Sequence, residues 1–212
     1  MVTICGTTIA VAVGFGVLLI SLTIHEAAHA WTADRLGDPT ARALGRVSLN
    51  PLVHIDWIGT VLLPIIAAIS HFPIIGWAKP VPVNMRNLKD PRRDFMIVAA
   101  AGPISNLVQA VVAAILLRVV GAALPEGVPG WVIGVLTLAV EINLLLAFFN
   151  LIPVPPLDGG NVLLGLLPPR AAAMYAQVRQ YGFLLLYALL FTGIASRLIM
   201  PPVLFFERIL LP

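Results

Sequence analysis

Charged residues and cysteines are scarce in this chain. Of 212 residues only 11% are charged, while 59% are hydrophobic and the mean hydropathy is +0.98. An ordinary soluble domain is about half apolar and about a quarter charged, so this composition excludes such a domain and indicates that a lipid bilayer is the solvent. The lone cysteine, Cys5, excludes an intrachain disulfide, and its apolar surroundings favour a packing role.

Basic residues are also absent from the beginning of the chain, where none precedes Arg35. A secretory signal peptide carries basic residues ahead of a short apolar core, so residues 2–24 are predicted to form a retained transmembrane helix. The net charge is only +3, and the basic residues lie in loops between apolar runs. This pattern is typical of membrane topology determinants, and we expect no nucleic-acid partner.

Five apolar stretches follow one another, at residues 8–33, 57–78, 96–117, 131–152 and 181–206. The second contains Pro64 and Pro73, which suits a proline-broken or re-entrant segment. Short alternating pieces such as residues 43–49 favour strands. The predicted fold is an all-α polytopic membrane protein, a bundle of about 4–6 transmembrane helices with short membrane-associated β-strands.

His25, Glu26 and His29 form an H-E-x-x-H motif. Residues i and i+4 share a helix face, so both imidazoles can reach one ion, and the glutamate between them can take a proton from metal-bound water. The motif follows more than twenty uncharged residues, where a carboxylate is costly and needs a partner or a function. The alternative is a hydrogen-bonded polar cluster that joins helices.

A zinc protease needs a third protein ligand, for which Asp158 is the candidate. Three prolines just before it remove backbone donors and end the fourth stretch, and Gly159 and Gly160 permit tight turns after it. A carboxylate held there, at the membrane edge, is well placed to bind a metal. The alternative is an N-cap for a helix that begins near Gly159.

These motifs together resemble the site-2 proteases, the intramembrane zinc metalloproteases of peptidase family M50, in a small form without a PDZ domain. The family pairs H-E-x-x-H with N-x-x-P-x-x-P-L-D-G, which here runs from Asn150 to Gly159. Its G-P-x-x-N element is present from Gly102 to Asn106. Further similarity at residues 35–41, 45–46, 50–56 and 76–84 extends the resemblance over most of residues 20–165.

The resemblance implies that His25, His29 and Asp158 bind one zinc ion per chain and that Glu26 is the general base. Asn106 would lie near the site and polarise or position the scissile peptide, with an interhelical hydrogen bond as the alternative.

His54 is a further candidate for positioning the substrate or the oxyanion, with the ordering of its loop as the alternative. His71 receives no role. For Glu141 the sequence leaves open a protein partner or an aqueous crevice.

By the same resemblance the chain is a zinc metalloendopeptidase that cuts membrane-spanning protein substrates, as in regulated intramembrane proteolysis. Residues 1–212 would form a single membrane-embedded protease domain, with a catalytic core at about 8–167 and an additional C-terminal transmembrane helix at about 181–206. The alternative is a non-proteolytic membrane protein that binds or transports a metal. Glu26 distinguishes the two, because a binding site does not need this extra base.

The two motifs also constrain topology, because the ends of the first and fourth stretches must reach one zinc ion. The simplest solution is a second stretch that does not cross the membrane. Loops 34–56 and 79–94 then lie on one face, and their eight Lys and Arg residues predict that this face is cytoplasmic. We expect a multi-pass protein of a prokaryotic cell membrane, with the zinc site nearer the cytoplasmic face and residues 44–49 as an edge for an extended substrate.

Overall fold

All regular structure that can be described in this chain is helical. The computed structural model describes residues 2–63, 66, 78–124 and 127–211. The α-helices are α1 (Val2–Arg35), α2 (Thr40–Ala43), α3 (Pro91–Ala123), α4 (Gly130–Asn150), α5 (Asp158–Leu166), α6 (Pro169–Val178), α7 (Gly182–Phe191) and α8 (Ile194–Leu210). Short 3₁₀ segments cover Pro51–Val53, Met85–Asn87 and Arg179–Tyr181, and a π-helical segment covers Trp57–Leu62.

Three helices are long and apolar enough to cross a membrane: Ala10–Arg35 within α1, all of α3 and all of α4. The segments Pro169–Phe191 and Ile194–Leu210, bent by 72°, count as a fourth span if they form one broken crossing. The predicted number of about 4–6 is therefore not confirmed by the described part of the chain. The expected helix at 181–206 is two helices, because Gly193 takes a left-handed conformation (φ 72°) that ends α7.

α3 is the central helix and contacts α1, α4 and α5. It begins where the Asp90 carboxylate accepts a hydrogen bond from the Arg93 N–H (3.2 Å), with Pro91 in the first turn. Farther along, buried alanines of α3 share a core cluster with residues of α4; this cluster includes Ala110, Ala113, Ala114, Val140 and Leu144. Small side chains allow neighbouring transmembrane helices to approach closely.

The end of α1 is joined to the segment before α3 by the fully buried Asp38. Its carboxylate accepts hydrogen bonds from the Asn84 N–H (2.6 Å), the Asn87 side-chain amide (2.7 Å) and the Thr40 hydroxyl (2.5 Å). Burial raises the pKa of Asp38, but these hydrogen bonds lower it more, so that the pKa lies below its usual value. The C-terminal end of α1 and the N-terminal end of α3 therefore lie on the same side of the bundle.

The predicted strands are not confirmed, since no strand occurs in the ranges described above. Residues 44–50 form a turn after α2 and an irregular stretch. The nearby segments are joined by the Arg46 guanidinium, which donates to the carbonyl groups of Val53 and Lys79, and by one backbone hydrogen bond from the Lys79 N–H to the His54 carbonyl (2.9 Å). The buried Arg46 side chain thus joins these segments, which strand pairing was expected to join. Pro64, His71 and Pro73 lie outside the described residues.

Candidate metal centre

The two histidines of the H-E-x-x-H motif lie on one face of α1, as their spacing predicts. Their Nε2 atoms are 3.1 Å apart and the ring planes are nearly perpendicular. Both residues are buried. The pair therefore presents two nitrogen atoms to a single point beside the helix.

Asp158 completes this group from the first turn of α5. Its Oδ2 atom lies 3.1 Å from Nε2 of His25 and 3.4 Å from Nε2 of His29. Gly159 allows this approach, because a Cβ atom there would lie 2.5 Å from the Ile152 carbonyl oxygen. The N-cap of α5 is Leu157, without a side-chain capping bond, and the Asp158 carboxylate faces the histidines.

The hydrogen bonds of the two rings determine which nitrogens face this point. Nδ1 of His29 lies 2.7 Å from the Val98 carbonyl oxygen, which can only accept, so Nδ1 carries the proton. Nδ1 of His25 lies 2.6 Å from Oδ1 of Asn106 and donates in the same way. In the neutral rings both Nε2 atoms then carry lone pairs. Two nitrogen lone pairs and the Asp158 carboxylate oxygen therefore point towards one another. These electron-rich atoms repel one another unless a cation lies between them.

The donor set fits zinc. Tetrahedral zinc with ligand bonds of about 2.0–2.1 Å separates its ligand atoms by about 3.3 Å. The three separations here are 3.1, 3.1 and 3.4 Å. Two imidazoles and one carboxylate also match the ligand types of catalytic zinc sites, which leave the fourth position open for water or substrate.

α3 lies against the histidines through three residues four positions apart: Val98, Gly102 and Asn106. The outer two accept the Nδ1 hydrogen bonds described above. The middle one has no side chain, and a Cβ atom there would lie 2.5 Å from Nε2 of His25 and closer still to Nε2 of His29. Gly102 therefore gives α3 the space to contact both rings at once.

Asn106 is fully buried and continues into a network that sequence analysis does not single out. Its side-chain amide donates to Oδ1 of Asn143 on α4 (2.8 Å). Asn143 in turn donates to the Ser21 hydroxyl (2.9 Å) and to the Ala139 carbonyl (2.9 Å). The one sequence signal for Asn143 is an amide in the middle of an apolar span, where such groups form hydrogen bonds between helices.

Glu26 lies beside the donor set and lines a cleft of about 640 Å³. The cleft walls are largely apolar and include Phe15, Leu18 and Leu22 of α1, Phe149 of α4 and Leu186 of α7. Within the described residues nothing donates a hydrogen bond to the Glu26 carboxylate, in contrast to that of Asp38. Burial lowers the pKa of the nearby Arg46 guanidinium, and the charge of Glu26 partly offsets that effect.

The other polar candidates lie away from the donor set. The buried His54 donates from Nε2 to the Ser48 carbonyl (2.8 Å) and does not line the cleft. Its contacts favour the alternative of ordering the loop. Glu141 is exposed on α4 and likewise does not line the cleft.

The chain also matches a known peptidase family and its relatives. The model of peptidase family M50 matches residues 13–129 and 126–193. The protein named "Putative zinc metalloprotease YwhC" of Bacillus subtilis is 38% identical over 187 residues, covering 87% of this chain and 82% of that protein. "Putative zinc metalloprotease Rip2" of Mycolicibacterium smegmatis is 34% identical over 181 residues, covering 84% and 66%. No solved structure gives a significant match.

Proposed function

This chain belongs to peptidase family M50 and is a zinc metalloprotease of the membrane, and from that premise we propose that it cuts membrane-spanning proteins within the bilayer. The observation that carries the proposal is the convergence of three metal-binding atoms within 3.4 Å beside an apolar cleft. His25 and His29 precede the end of α1 by ten and six residues. At about 1.5 Å per residue they lie about 15 and 9 Å inside that end.

We assign His25, His29 and Asp158 as the ligands and Glu26 as the general base. Zinc held by these ligands would supply Lewis-acid activation of water and of the scissile carbonyl. The Glu26 carboxylate, to which no described residue donates a hydrogen bond, takes the proton from the attacking water and passes it to the leaving amine. The two carboxylates thus have different roles, because only that of Asp158 faces both imidazoles.

The substrate would bind along the apolar cleft. A helical segment hides its peptide bonds in its own hydrogen bonds, so it must unwind before hydrolysis. Residues 44–49 do not line the cleft, whereas the extended segment containing Val81 and Val83 does. We therefore place an unwound stretch of substrate along residues 80–83, where backbone pairing can hold it.

The chain would act as a single membrane-embedded domain, with the zinc site nearer the cytoplasmic face of a multi-pass protein. The hydrogen bond between Lys79 and His54 (2.9 Å) supports this topology. A single crossing between these two residues would separate them by about 30 Å. Loops 34–56 and 79–94 then share one face, and their basic residues favour the cytoplasm.

Sidedness can be tested with cysteine reporters at residues 45 and 86, in a Cys5→Ser background that removes the native thiol. Labelling of intact cells or oriented vesicles should reach both positions from the same, cytoplasmic side. Labelling from opposite sides would contradict the proposed topology.

The function can be tested by incubating a model transmembrane substrate in detergent with the unaltered protein, Glu26→Gln and Glu141→Gln, with zinc counted in each. General-base catalysis contributes about 10²–10⁴-fold, so Glu26→Gln should slow cleavage by at least about 100-fold and keep its zinc. Glu141→Gln is the matched control, because it makes the same chemical change on a membrane helix outside the cleft. Its cleavage rate should equal that of the unaltered protein.

Equal cleavage by Glu26→Gln and the unaltered protein would overturn the assignment of the base. Zinc retained by a protein that cuts none of a panel of transmembrane substrates would instead favour a metal-binding or transport role.

A further inference from the structure

We propose that Asn143 is a positioning residue that sets the orientation and tautomer of His25 through Asn106, with the Ala139 carbonyl as the fixed reference. The proposal rests on the function proposed above only in taking His25 as a zinc ligand. It concerns α4, which contributes no ligand to the metal centre.

The argument begins at the Ala139 carbonyl, which can only accept hydrogen bonds. The Asn143 side-chain atom 2.9 Å from it must therefore be the amide nitrogen. The oxygen of Asn143 is then turned towards Asn106, 2.8 Å away, and requires a donor there. The direction of this first amide thus follows from backbone chemistry alone.

The same reasoning passes through the second amide. Because Asn106 presents its NH₂ group to Asn143, its oxygen faces Nδ1 of His25 at 2.6 Å. That ring nitrogen must carry the proton, which leaves the lone pair of the neutral ring on Nε2, towards Asp158 and His29. The Ala139 carbonyl thus fixes the orientation of Asn143, Asn143 fixes that of Asn106, and Asn106 fixes the tautomer of His25.

His29 reaches the same state without this relay. Its Nδ1 donates directly to the Val98 backbone carbonyl. On α3, Asn106 lies about two helical turns beyond Val98. There the Asn106 side chain, rather than a backbone carbonyl, accepts the hydrogen bond from Nδ1 of His25. Hydrogen bonds to the second nitrogen of a metal-binding histidine fix its tautomer and orientation, and losing such a partner typically weakens metal binding about 10- to 100-fold.

Substitutions within this network can separate an orienting role of Asn143 from a role in helix packing alone. Ser21 accepts the second amide proton of Asn143 but does not fix its direction, because a hydroxyl can donate or accept. Ser21→Ala should therefore leave His25 unchanged. Asn143→Asp should also preserve it, since a protonated carboxyl can donate to the Ala139 carbonyl and present its other oxygen to Asn106. Asn143→Leu removes the amide oxygen and the amide nitrogen, so Asn106 and the His25 ring should no longer be held in one orientation.

The experiment uses the full chain in detergent, loaded with Zn²⁺. Zinc affinity is measured by competition with a chelator, and ¹⁵N NMR of histidine-labelled protein follows the Nδ1–H resonance of His25. The matched control is Leu144→Ala, a buried apolar neighbour on α4 whose truncation lowers stability by creating a cavity. Asn143→Ala provides a second test if Asn143→Leu does not fold.

Asn143→Leu should bind zinc about 10- to 100-fold more weakly and lose or shift the His25 Nδ1–H signal. Asn143→Asp, Ser21→Ala and Leu144→Ala should keep both properties. An unchanged affinity and unchanged signal in Asn143→Leu would overturn the proposal, as would an equal loss in Leu144→Ala. Absence of His25 from the ligand set of the unaltered protein would instead reject the function proposed above.

Discussion

The two halves of α3 use small residues for different purposes. In the first half, Gly102 gives the two imidazoles of the candidate metal centre room against the helix. In the second half, Ala110, Ala113 and Ala114 let α4 pack closely. Hydrogen bonds join the first half to His25 and His29, whereas these alanines of the second half pack against α4 by apolar contact. A small residue in a membrane helix can therefore serve the chemistry or the packing, and only its neighbours distinguish the two.

Adding one methyl group in each half should expose this difference most clearly. Gly102→Ala places a Cβ atom 2.5 Å from Nε2 of His25, so the rings must move. We expect zinc binding to weaken by more than about 100-fold, beyond the usual loss of a supporting partner. The control is Gly121→Ala on the same helix, where no other part of the described structure lies within 4 Å of the new Cβ beyond the adjacent residues and backbone of the helix itself.

Gly121→Ala should keep full zinc affinity and gain up to about 0.5–1 kcal/mol, because alanine favours a helix more than glycine does. Chelator competition and thermal unfolding measure the two effects. Full zinc affinity in Gly102→Ala would contradict the role given to the first half of α3.

A smaller effect on zinc affinity is expected from the contact between Arg92, in the first half of α3, and α5. The Arg92 side chain donates to the carbonyl groups of Leu164 (3.2 Å) and Gly165 (3.2 Å), at the C-terminal end of the helix that begins with Asp158. Arg92→Met leaves these carbonyls without their cation, which should cost about 1–3 kcal/mol and shift Asp158. Zinc affinity should fall about 3- to 10-fold, less than for a ligand's direct partner.

The matched control is Arg93→Met, which removes the same charge from the exposed neighbouring position. If the two variants weaken zinc binding equally, the effect comes from membrane topology and not from the contact with α5.

The smallest effect is the pH dependence of stability contributed by Asp38, which joins the end of α1 to the segment before α3. Hydrogen bonds keep the pKa of Asp38 below its usual value despite burial. Asp38 therefore stabilises the fold above its unfolded pKa of about 3.9, and this stabilisation is lost as pH falls through the folded pKa. Thermal unfolding between neutral and strongly acidic pH should show a shallower loss of stability in Asp38→Asn. Identical pH profiles would exclude this contribution.

Much of the site could be anticipated from spacing. The i, i+4 rule brings His25 and His29 to one face, and the proline-rich segment delivers Asp158 to them. Asn143 could not be assigned in this way, because its partner is 37 residues distant in sequence and on another helix. An amide in the middle of an apolar run shows that a partner exists but not which one.

Basic residues were harder to interpret than the proposed ligands. Arg46 and Arg92 are predicted only as topology determinants, whereas both donate to backbone carbonyls and hold segments around the site. The alternating pattern at residues 43–49 fails as a strand for a related reason. Its periodicity describes two faces but provides no neighbour to pair with, and no strand lies beside it among the described residues.

The place of the Ala139 carbonyl in the amide chain has an evolutionary consequence. Every residue has this carbonyl, so substitution of the side chain at position 139 leaves it in place. We expect related sequences to vary freely there among small apolar residues while retaining both amides. A search for invariant positions would then find the two asparagines and overlook the backbone group that orients them.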